Sequence, residues 1–396
     1  MTMSGTSTSG FGGGRAPAVS KPPNVPFLDL GAMNDEVADE VEVAWKSITA
    51  SGQFIGGPYV AEFERAWADY CGTTYAVGLA NGTDALHLAL RAAGVGVGDE
   101  VVLPANTFAA TAEAVVLAGA RPRFADVDPA TLLLTPRAVQ AALTPTTAAV
   151  IAVHLYGQMA DMDGLSELTN REGLLLVEDA AQAQGALWRS RKAGSIGHVG
   201  CFSFYPGKNL GAYGDAGAVV TSDPDLARKI ASMRDHGRRA RTHYDHEFVG
   251  TNSRLDAVQA AVLVAKLRRL DRWNDARRAL MAAYRVALDG GPVRLVAEGD
   301  TGSPVHHLAV ARVTDRDGVR ERLLERGIQT GIHYPIPCHK LQPYQMFADR
   351  PLVEVETAAA EVLSLPMFPH MTQVQVLEVC TALQAAVGSA PGSHGG

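Results

Sequence analysis

One lysine stands in an unusual stretch of the chain. In Cys201-Phe202-Ser203-Phe204-Tyr205-Pro206-Gly207-Lys208-Asn209-Leu210-Gly211-Ala212-Tyr213-Gly214-Asp215, the neighbours of Lys208 are apolar or small for several residues each way. A lysine is ordinarily a solvated surface group. Desolvated in such a loop it loses its proton more readily and becomes a nucleophile able to form a Schiff base. Ser203, five residues earlier, can reach a phosphate. Two acids, Glu178 and Asp179, end an apolar run and open Ala180-Ala181-Gln182. A metal would want more carboxylate or His ligands nearby than this segment has. A buried carboxylate facing a protonated ring nitrogen is another use, since opposite charge favours the ionised form. For a lone Asp, a helix cap or a salt bridge is the favoured reading. A third stretch, Ala80-Asn81-Gly82-Thr83-Asp84, also follows an apolar run and opens a helical pattern. Free N–H groups at a helix start bind phosphate, although a capped helix accounts for the same residues.

The elements that must carry these residues follow from periodicity. Seven short apolar runs, at 75–79, 101–103, 122–127, 148–154, 174–178, 201–204 and 218–221, have the length of buried strands. Helical spacing separates several of them, at 84–93 before Gly94 and at 108–118 before Gly119. The last two runs are joined by the lysine loop. Strand–helix alternation predicts a mostly parallel sheet covered on both faces. Ligands of such sheets sit at the carboxyl ends of the strands, where all three stretches fall. From 255 to 288 a helical stripe predicts one long helix, stopped by Gly290-Gly291-Pro292, with the arginines of 268–278 on its polar face. Beyond it come a strand at 307–313, a helix at 317–326, a Pro-rich loop at 334–343 and a helix at 372–387. The expected organisation is a leader at 1–26, a large domain at 27–265, a smaller C-terminal α/β domain at 266–390 and a tail at 391–396. The leader and tail are too polar and too rich in Gly, Ser and Pro to offset ordering entropy, which predicts disorder.

Composition narrows the class. The chain has 396 residues, 47% hydrophobic and 19% charged, with a formal charge of −7. That balance suits a globular protein and disfavours a nucleic-acid partner. No apolar run approaches the ~20 residues of a membrane span. Four cysteines without metal spacing read as reduced thiols of a cytoplasmic protein. The twelve histidines form no HxxxH or HExxH pattern, so no metal is expected. His87 reads as structural, His198 as solvated and His154 as a residue that either lines the site or packs beside it. A basic cluster at 236–241 is a solvated face or a contact for a diphosphate.

Taken together, Lys208, Asp179, and Gly82, Thr83 and Ser203 offer what pyridoxal phosphate requires: a lysine for its aldehyde, an acid for its pyridinium nitrogen, and N–H and hydroxyl groups for its phosphate.

The chain also resembles the sugar aminotransferases of the DegT/DnrJ/EryC1/StrS family, of aspartate-aminotransferase-like fold type I. The stretches that carry the resemblance are Gly52-Gln53-Phe54-Ile55-Gly56-Gly57-Pro58, Gly82-Thr83-Asp84-Ala85-Leu86, Pro104-Ala105-Asn106-Thr107-Phe108, His154-Leu155-Tyr156-Gly157, Glu178-Asp179-Ala180-Ala181-Gln182, the segment 203–211, and Asn252-Ser253-Arg254-Leu255-Asp256. It implies that Lys208 holds the cofactor and shuttles protons, that Asp179 pairs with the pyridinium nitrogen, and that Phe108 stacks on the ring. It further implies that Gln182 contacts the ring side, that Gly82, Thr83 and Ser203 hold the phosphate, and that Asn252 reaches the cofactor of the other subunit in a homodimer with shared active sites. Asn81, Gly207 and Ala216 depart from the common Ser, Thr and Gly of the family without removing a catalytic group. The Tyr205-Pro206-Gly207-Lys208-Asn209 loop and Gly331-Ile332-His333-Tyr334-Pro335 look like the branch that aminates C3 of dTDP-linked 3-keto-6-deoxyhexoses for natural products such as antibiotics. The donor implied is glutamate, or else glutamine, and His333 and Tyr334 are the substrate-side residues. Besides a non-enzymatic regulator that retains the fold, which the intact set of cofactor residues disfavours, two alternatives keep the cofactor: first C4 amination of a 4-keto sugar nucleotide, and second sugar dehydration. The dehydratase relatives carry His in place of Lys208, which disfavours the second.

Overall fold

The computed structural model describes residues 24–239 and 244–388. All seven expected strands are present and form one sheet: β1 (Tyr75–Leu79), β2 (Glu100–Pro104), β3 (Arg121–Ala125), β4 (Thr147–Val153), β5 (Leu175–Asp179), β6 (Val199–Ser203) and β7 (Gly217–Thr221). Their order is β1-β7-β6-β5-β4-β2-β3. β7 runs antiparallel to both neighbours and the other pairs are parallel. The antiparallel strand follows from the lysine loop. A loop without a helix cannot cross the sheet to start a parallel strand, so the chain turns back.

Successive residues of a central strand feed opposite cores. Val101 and Leu103 of β2 pack on one face and Val102 on the other, and Ile151 and Ala152 of β4 divide in the same way. Helix α1 (Gly82–Ala92) covers the first face and buries Leu86, Leu88 and Leu90. Each such side chain contributes about 2 kcal/mol of burial. Helix α2 (Ala109–Leu117) lies beside it on the same core.

The single long helix expected over 255–288 is two helices, α3 (Ala257–Leu267) and α4 (Leu270–Leu288). The Arg269 side chain bends back to the Ala265 carbonyl at 2.8 Å, and its backbone N–H closes a tighter turn on Lys266 at 2.9 Å. That local competition ends α3. The polar face expected of the arginines also needs correction. Arg268 and Arg272 are exposed and ion-paired, whereas Arg277 is buried.

Three short strands, β8 (Arg294–Leu295), β9 (Ala309–Arg312) and β10 (Val362–Leu365), form an antiparallel sheet in that order. They share a core with Leu280 and Tyr284 of α4 and with Val379 and Leu383 of α5 (Gln373–Gly388). Val25 belongs to the same core and is fully buried. Its N–H donates to the Gly327 carbonyl and its carbonyl accepts from Gln329. Packed structure therefore begins before the expected leader boundary at 26/27. The rest of the expected leader, 1–23, and the expected tail lie outside the described residues.

Candidate active site

A cavity of about 780 Å³ opens at the carboxyl ends of β4, β5 and β6. It brings together Gly82, Thr83, Phe108, Asp179, Gln182, Ser203, Lys208, His333 and Tyr334, nine of the ten residues singled out in the sequence. Asn252, the tenth, is exposed and pairs with Asp235 through a backbone bridge instead.

Lys208 closes a turn with its N–H on the Tyr205 carbonyl at 2.8 Å. Gly211 lets that turn fold on itself, since a Cβ there would lie 2.3 Å from the Pro206 carbonyl oxygen. The walls around Lys208 pull its ammonium down to about 8, against the Asp179 carboxylate, which raises it. Near neutral pH a useful fraction of the amine is therefore uncharged.

The two adjacent acids have separate fates. Glu178 turns into the interior. Its carboxylate accepts from the N–H groups of Gly194 at 2.8 Å and of Ile196 and Gly197 at 2.6 Å each, and pairs with His154 Nε2 at 2.9 Å. Burial alone would raise its pKa, but the His154 bond and these N–H groups outweigh it and hold it below the ordinary carboxylate range. His154 thus both borders the cavity and anchors Glu178. Asp179, one residue on, points the other way, as strand alternation requires. Its Oδ2 accepts from Thr111 Oγ1 at 2.8 Å and its Oδ1 from the Ala181 N–H at 3.2 Å. Thr107 backs Thr111 at 2.8 Å. Burial raises the Asp179 pKa against these donors.

The start of α1 faces the same cavity. Asn81 caps the helix by accepting the Asp84 N–H at 2.8 Å, which leaves the N–H groups of Gly82 and Thr83 without a helical acceptor. A Cβ on Gly82 would lie 2.7 Å from Ser203 Cβ, so only glycine allows the helix end and the β6 end to converge. Phe108, at the cap of α2, is 60% exposed and lines the cavity, its ring 6.2 Å from that of Tyr334. Gln182 accepts the Tyr156 N–H and donates to the Tyr334 hydroxyl. His333 Nδ1 lies 2.8 Å from Ser364 Oγ.

The sequence pattern of the DegT/DnrJ/EryC1/StrS aminotransferase family matches residues 35–384. The chain belongs to this family. It is 46% identical to the dTDP-3-amino-3,4,6-trideoxy-alpha-D-glucose transaminase of Streptomyces venezuelae, covering 91% of this chain and 96% of that one. It is 40% identical to the dTDP-3-amino-3,6-dideoxy-alpha-D-galactopyranose transaminase of Aneurinibacillus thermoaerophilus, over 91% and 98% of the two chains. The crystal structure of S. venezuelae DesV in complex with a ketimine intermediate superposes with a TM-score of 0.89 at 46% identity, covering 92% of this chain and 98% of that one. As a member of the family, this protein is a pyridoxal phosphate-dependent aminotransferase.

The residues fit that cofactor. Asp179 is a buried carboxylate on a cavity wall, satisfied by two neutral donors and without an ion-pair partner among the described residues. A cation placed before it removes the penalty of burying its charge. A protonated pyridine nitrogen is such a cation, and the N–H groups of Gly82 and Thr83, without an acceptor among the described residues, would with the Ser203 hydroxyl suit the phosphate.

Several site residues carried no signal that periodicity or spacing could detect. Thr111 lay inside the helix expected at 108–118 and His307 at the start of the strand expected at 307–313, while Thr107 and Tyr156 stood only within stretches that carry the family resemblance. Gly157 could have been found, since its motif demands a close approach. A Cβ there would be 2.8 Å from the His307 nitrogen. The basic cluster at 236–241 lies partly outside the described residues. Within them Arg238 pairs with Asp235.

Proposed function

We propose that this aminotransferase moves the amino group of glutamate to C3 of a dTDP-linked 3-keto-6-deoxyhexose, in amino-sugar biosynthesis for a natural product. The observation that carries the reading is the cavity itself. It joins Lys208 and Asp179 to His333 and Tyr334 of a distant loop, and its size lies in the upper part of the ~300–1,000 Å³ range of small-molecule sites. That leaves room for a cofactor and a second, large substrate. The relatives named as dTDP-3-amino-sugar transaminases support C3 as the acceptor position.

Bound in this site, pyridoxal phosphate supplies a carbonyl that carries the amino group and a ring that withdraws electrons from the reacting carbon. The chain supplies the rest. Lys208 moves the proton at the reacting carbon, which its lowered affinity for protons allows. Asp179, set by Thr111 and Ala181, keeps the ring nitrogen protonated. Phe108 covers one ring face and Gln182 borders its side. Gly82, Thr83 and Ser203 bind the phosphate. His333 and Tyr334 touch the sugar.

The protein acts as a homodimer with shared sites in the cytoplasm. The exposure of Asn252, away from its own chain's cavity, supports its reaching the partner's cofactor. No helix among the described residues is long and apolar enough to cross a membrane. The experiment that tests the substrate is mass spectrometry of products formed from glutamate with 3-keto and with 4-keto sugar nucleotides. Amination of the 3-keto sugar is expected. Amination of the 4-keto sugar alone would sink C3 and leave the aminotransferase.

A further inference from the structure

The turn that carries His307 is held more firmly than its surroundings require. His306 sits at φ 44°, and such left-handed strain in a residue with a Cβ costs about 1–3 kcal/mol. Arg277, buried on α4, gathers the carbonyl oxygens of His306 at 3.3 Å, His307 at 3.5 Å and Met367 at 3.1 Å. No described carboxylate is its ion-pair partner; its guanidinium is spent on this turn. The Val305 N–H donates to the Gly157 carbonyl at 2.9 Å. Gly157 itself packs so near the His307 nitrogen that no other residue fits.

The proton on the His307 ring can be located. Asn209, next to Lys208, donates from Nδ2 to Asn274 Oδ1 and to the Val305 carbonyl, each at 2.9 Å. Asn274 is oriented in turn by donating to the Gln184 carbonyl at 2.9 Å. Asn209 Oδ1 is therefore an acceptor, and His307 Nδ1, 3.2 Å away, carries the proton. Burial, and then the charge of Lys208, pushes the imidazole well below its ordinary value, so the ring is neutral. Nε2 is left as a bare acceptor without a hydrogen-bond partner among the described residues, on a ring that lines the cavity beside Lys208, His333 and Tyr334.

An acceptor-only nitrogen discriminates between the two substrates of a transaminase. It attracts the O–H of a hydroxyl and repels a carboxylate, whose oxygens only accept. The keto-sugar brings several hydroxyls, whereas glutamate, apart from the amino group it gives up in the reaction, brings only carboxylates. We propose that His307 is a specificity-determining residue whose Nε2 accepts a hydrogen bond from a ring hydroxyl of the sugar. The role rests on the nucleotide-sugar reading.

The test uses the cofactor-loaded enzyme, the dTDP-linked 3-keto-6-deoxyhexose and analogues that each lack one ring hydroxyl, with Kd measured by calorimetry in the absence of glutamate. In the wild type, one analogue is expected to bind at least about tenfold more weakly than the parent sugar, the loss typical of one neutral hydrogen bond left unmade. His307→Asn keeps a donor near Nδ1 but removes Nε2. The parent sugar should then fall to the level of that analogue, and the discrimination should vanish. His307→Gln, with an acceptor near Nε2, should restore part of it. The half-reaction with glutamate should change by less than threefold, roughly half the free energy of that hydrogen bond. Equal losses in both half-reactions would overturn the proposal and assign the ring to the lysine's surroundings. Discrimination that survives in His307→Asn, or a wild type that discriminates against no analogue, would overturn it as well. Should His307→Asn not fold, the wild-type series and His307→Gln decide the matter. A wild type that aminates no sugar nucleotide removes the substrate reading first, and this role with it.

Discussion

Gln182 donates from Nε2 to the Tyr334 hydroxyl at 2.8 Å, while its Oε1 accepts the Tyr156 N–H at 2.6 Å. One side chain at the end of β5 thereby positions a phenol that the chain delivers from 152 residues away. Tyr334 and Tyr156 are both left-handed, at φ 64° and 60°, so both are held against their own preference. Burial raises the Tyr334 phenol above its ordinary range, so it stays protonated. Its oxygen accepts from Gln182, which leaves its O–H to donate into the cavity. Tyr334→Phe should therefore slow the sugar half-reaction by about tenfold or more and the glutamate half-reaction by less, roughly the worth of one buried hydrogen bond. Adding Gln182→Ala should cost less than it does alone, because the two residues act as one unit. Fully additive losses in stopped-flow half-reactions would disconnect them.

Lys208→Ala should abolish turnover and the absorbance of covalently held cofactor, with circular dichroism unchanged. The neutral amine is the reactive form, and Lys208 sits near 8 instead of the usual 10.5. Cofactor uptake by the cofactor-free wild type should therefore rise with pH and level off just above 8. Asp179→Asn removes the charge that raises this value, so the plateau should move to lower pH. The same substitution should slow both half-reactions by several orders of magnitude, each factor of ten being about 1.4 kcal/mol. A plateau that stays in place in Asp179→Asn would show that the two groups do not interact.

Glu178 is a structural anion next to Asp179. Glu178→Ala would strand the buried Gly194 N–H, the half-buried Ile196 and Gly197 N–H groups and the His154 ring, so it should destabilise the fold by about 3–5 kcal/mol in denaturant titrations. Its pKa is depressed from an ordinary value near 4.5. The stability it contributes is therefore complete above about pH 4.5 and is lost as pH falls through the lower folded value. In Glu178→Gln that segment of the acid unfolding curve should flatten. An unchanged curve would assign acid sensitivity to other carboxylates.

Lys266 is a buried cation whose companions among the described residues are neutral: Asn34 Oδ1 at 2.9 Å and the Tyr213 ring at 4.5 Å. Burial lowers it to about 8 from 10.5. The unfolded chain binds more protons between those values, so this residue makes stability rise with pH across that window. Lys266→Met should raise Tm at pH 7 by several degrees and remove the rise. A lower Tm at pH 7 would mean that the ammonium has a compensating partner.

Asn252 tests the shared site. Mixing Lys208→Ala with Asn252→Ala chains should yield hybrid dimers in which one site has an intact lysine and a wild-type asparagine from its neighbour. Activity should then exceed that of either parent. If native mass spectrometry confirms hybrids and no gain appears, Asn252 does not act across the interface.

The seven strands, a helix opened by the 80–84 stretch and the isolation of Lys208 among apolar neighbours were legible in the sequence alone. Each rests on residues a few positions apart, and side-chain alternation, helical spacing and glycine stops are properties of short stretches. Two adjacent acids at the end of β5 were equally visible, and Asp179 was the one read as the partner of a ring nitrogen, but what Glu178 would do was not legible. That was decided by the pleat of β5 together with the 194–197 loop and His154, which reach Glu178 from other parts of the chain. The break between α3 and α4 was hidden as well, because an unbroken apolar stripe cannot reveal that Arg269 will turn back on the Ala265 carbonyl. Arg277 looked like its exposed neighbours until the 306–307 turn was placed against it. Thr111, Tyr156 and His307 lie far apart in sequence and acquire a function only when packing sets them around one cavity. A hydrogen bond between distant residues leaves no periodicity behind, so these partners belong to the tertiary structure.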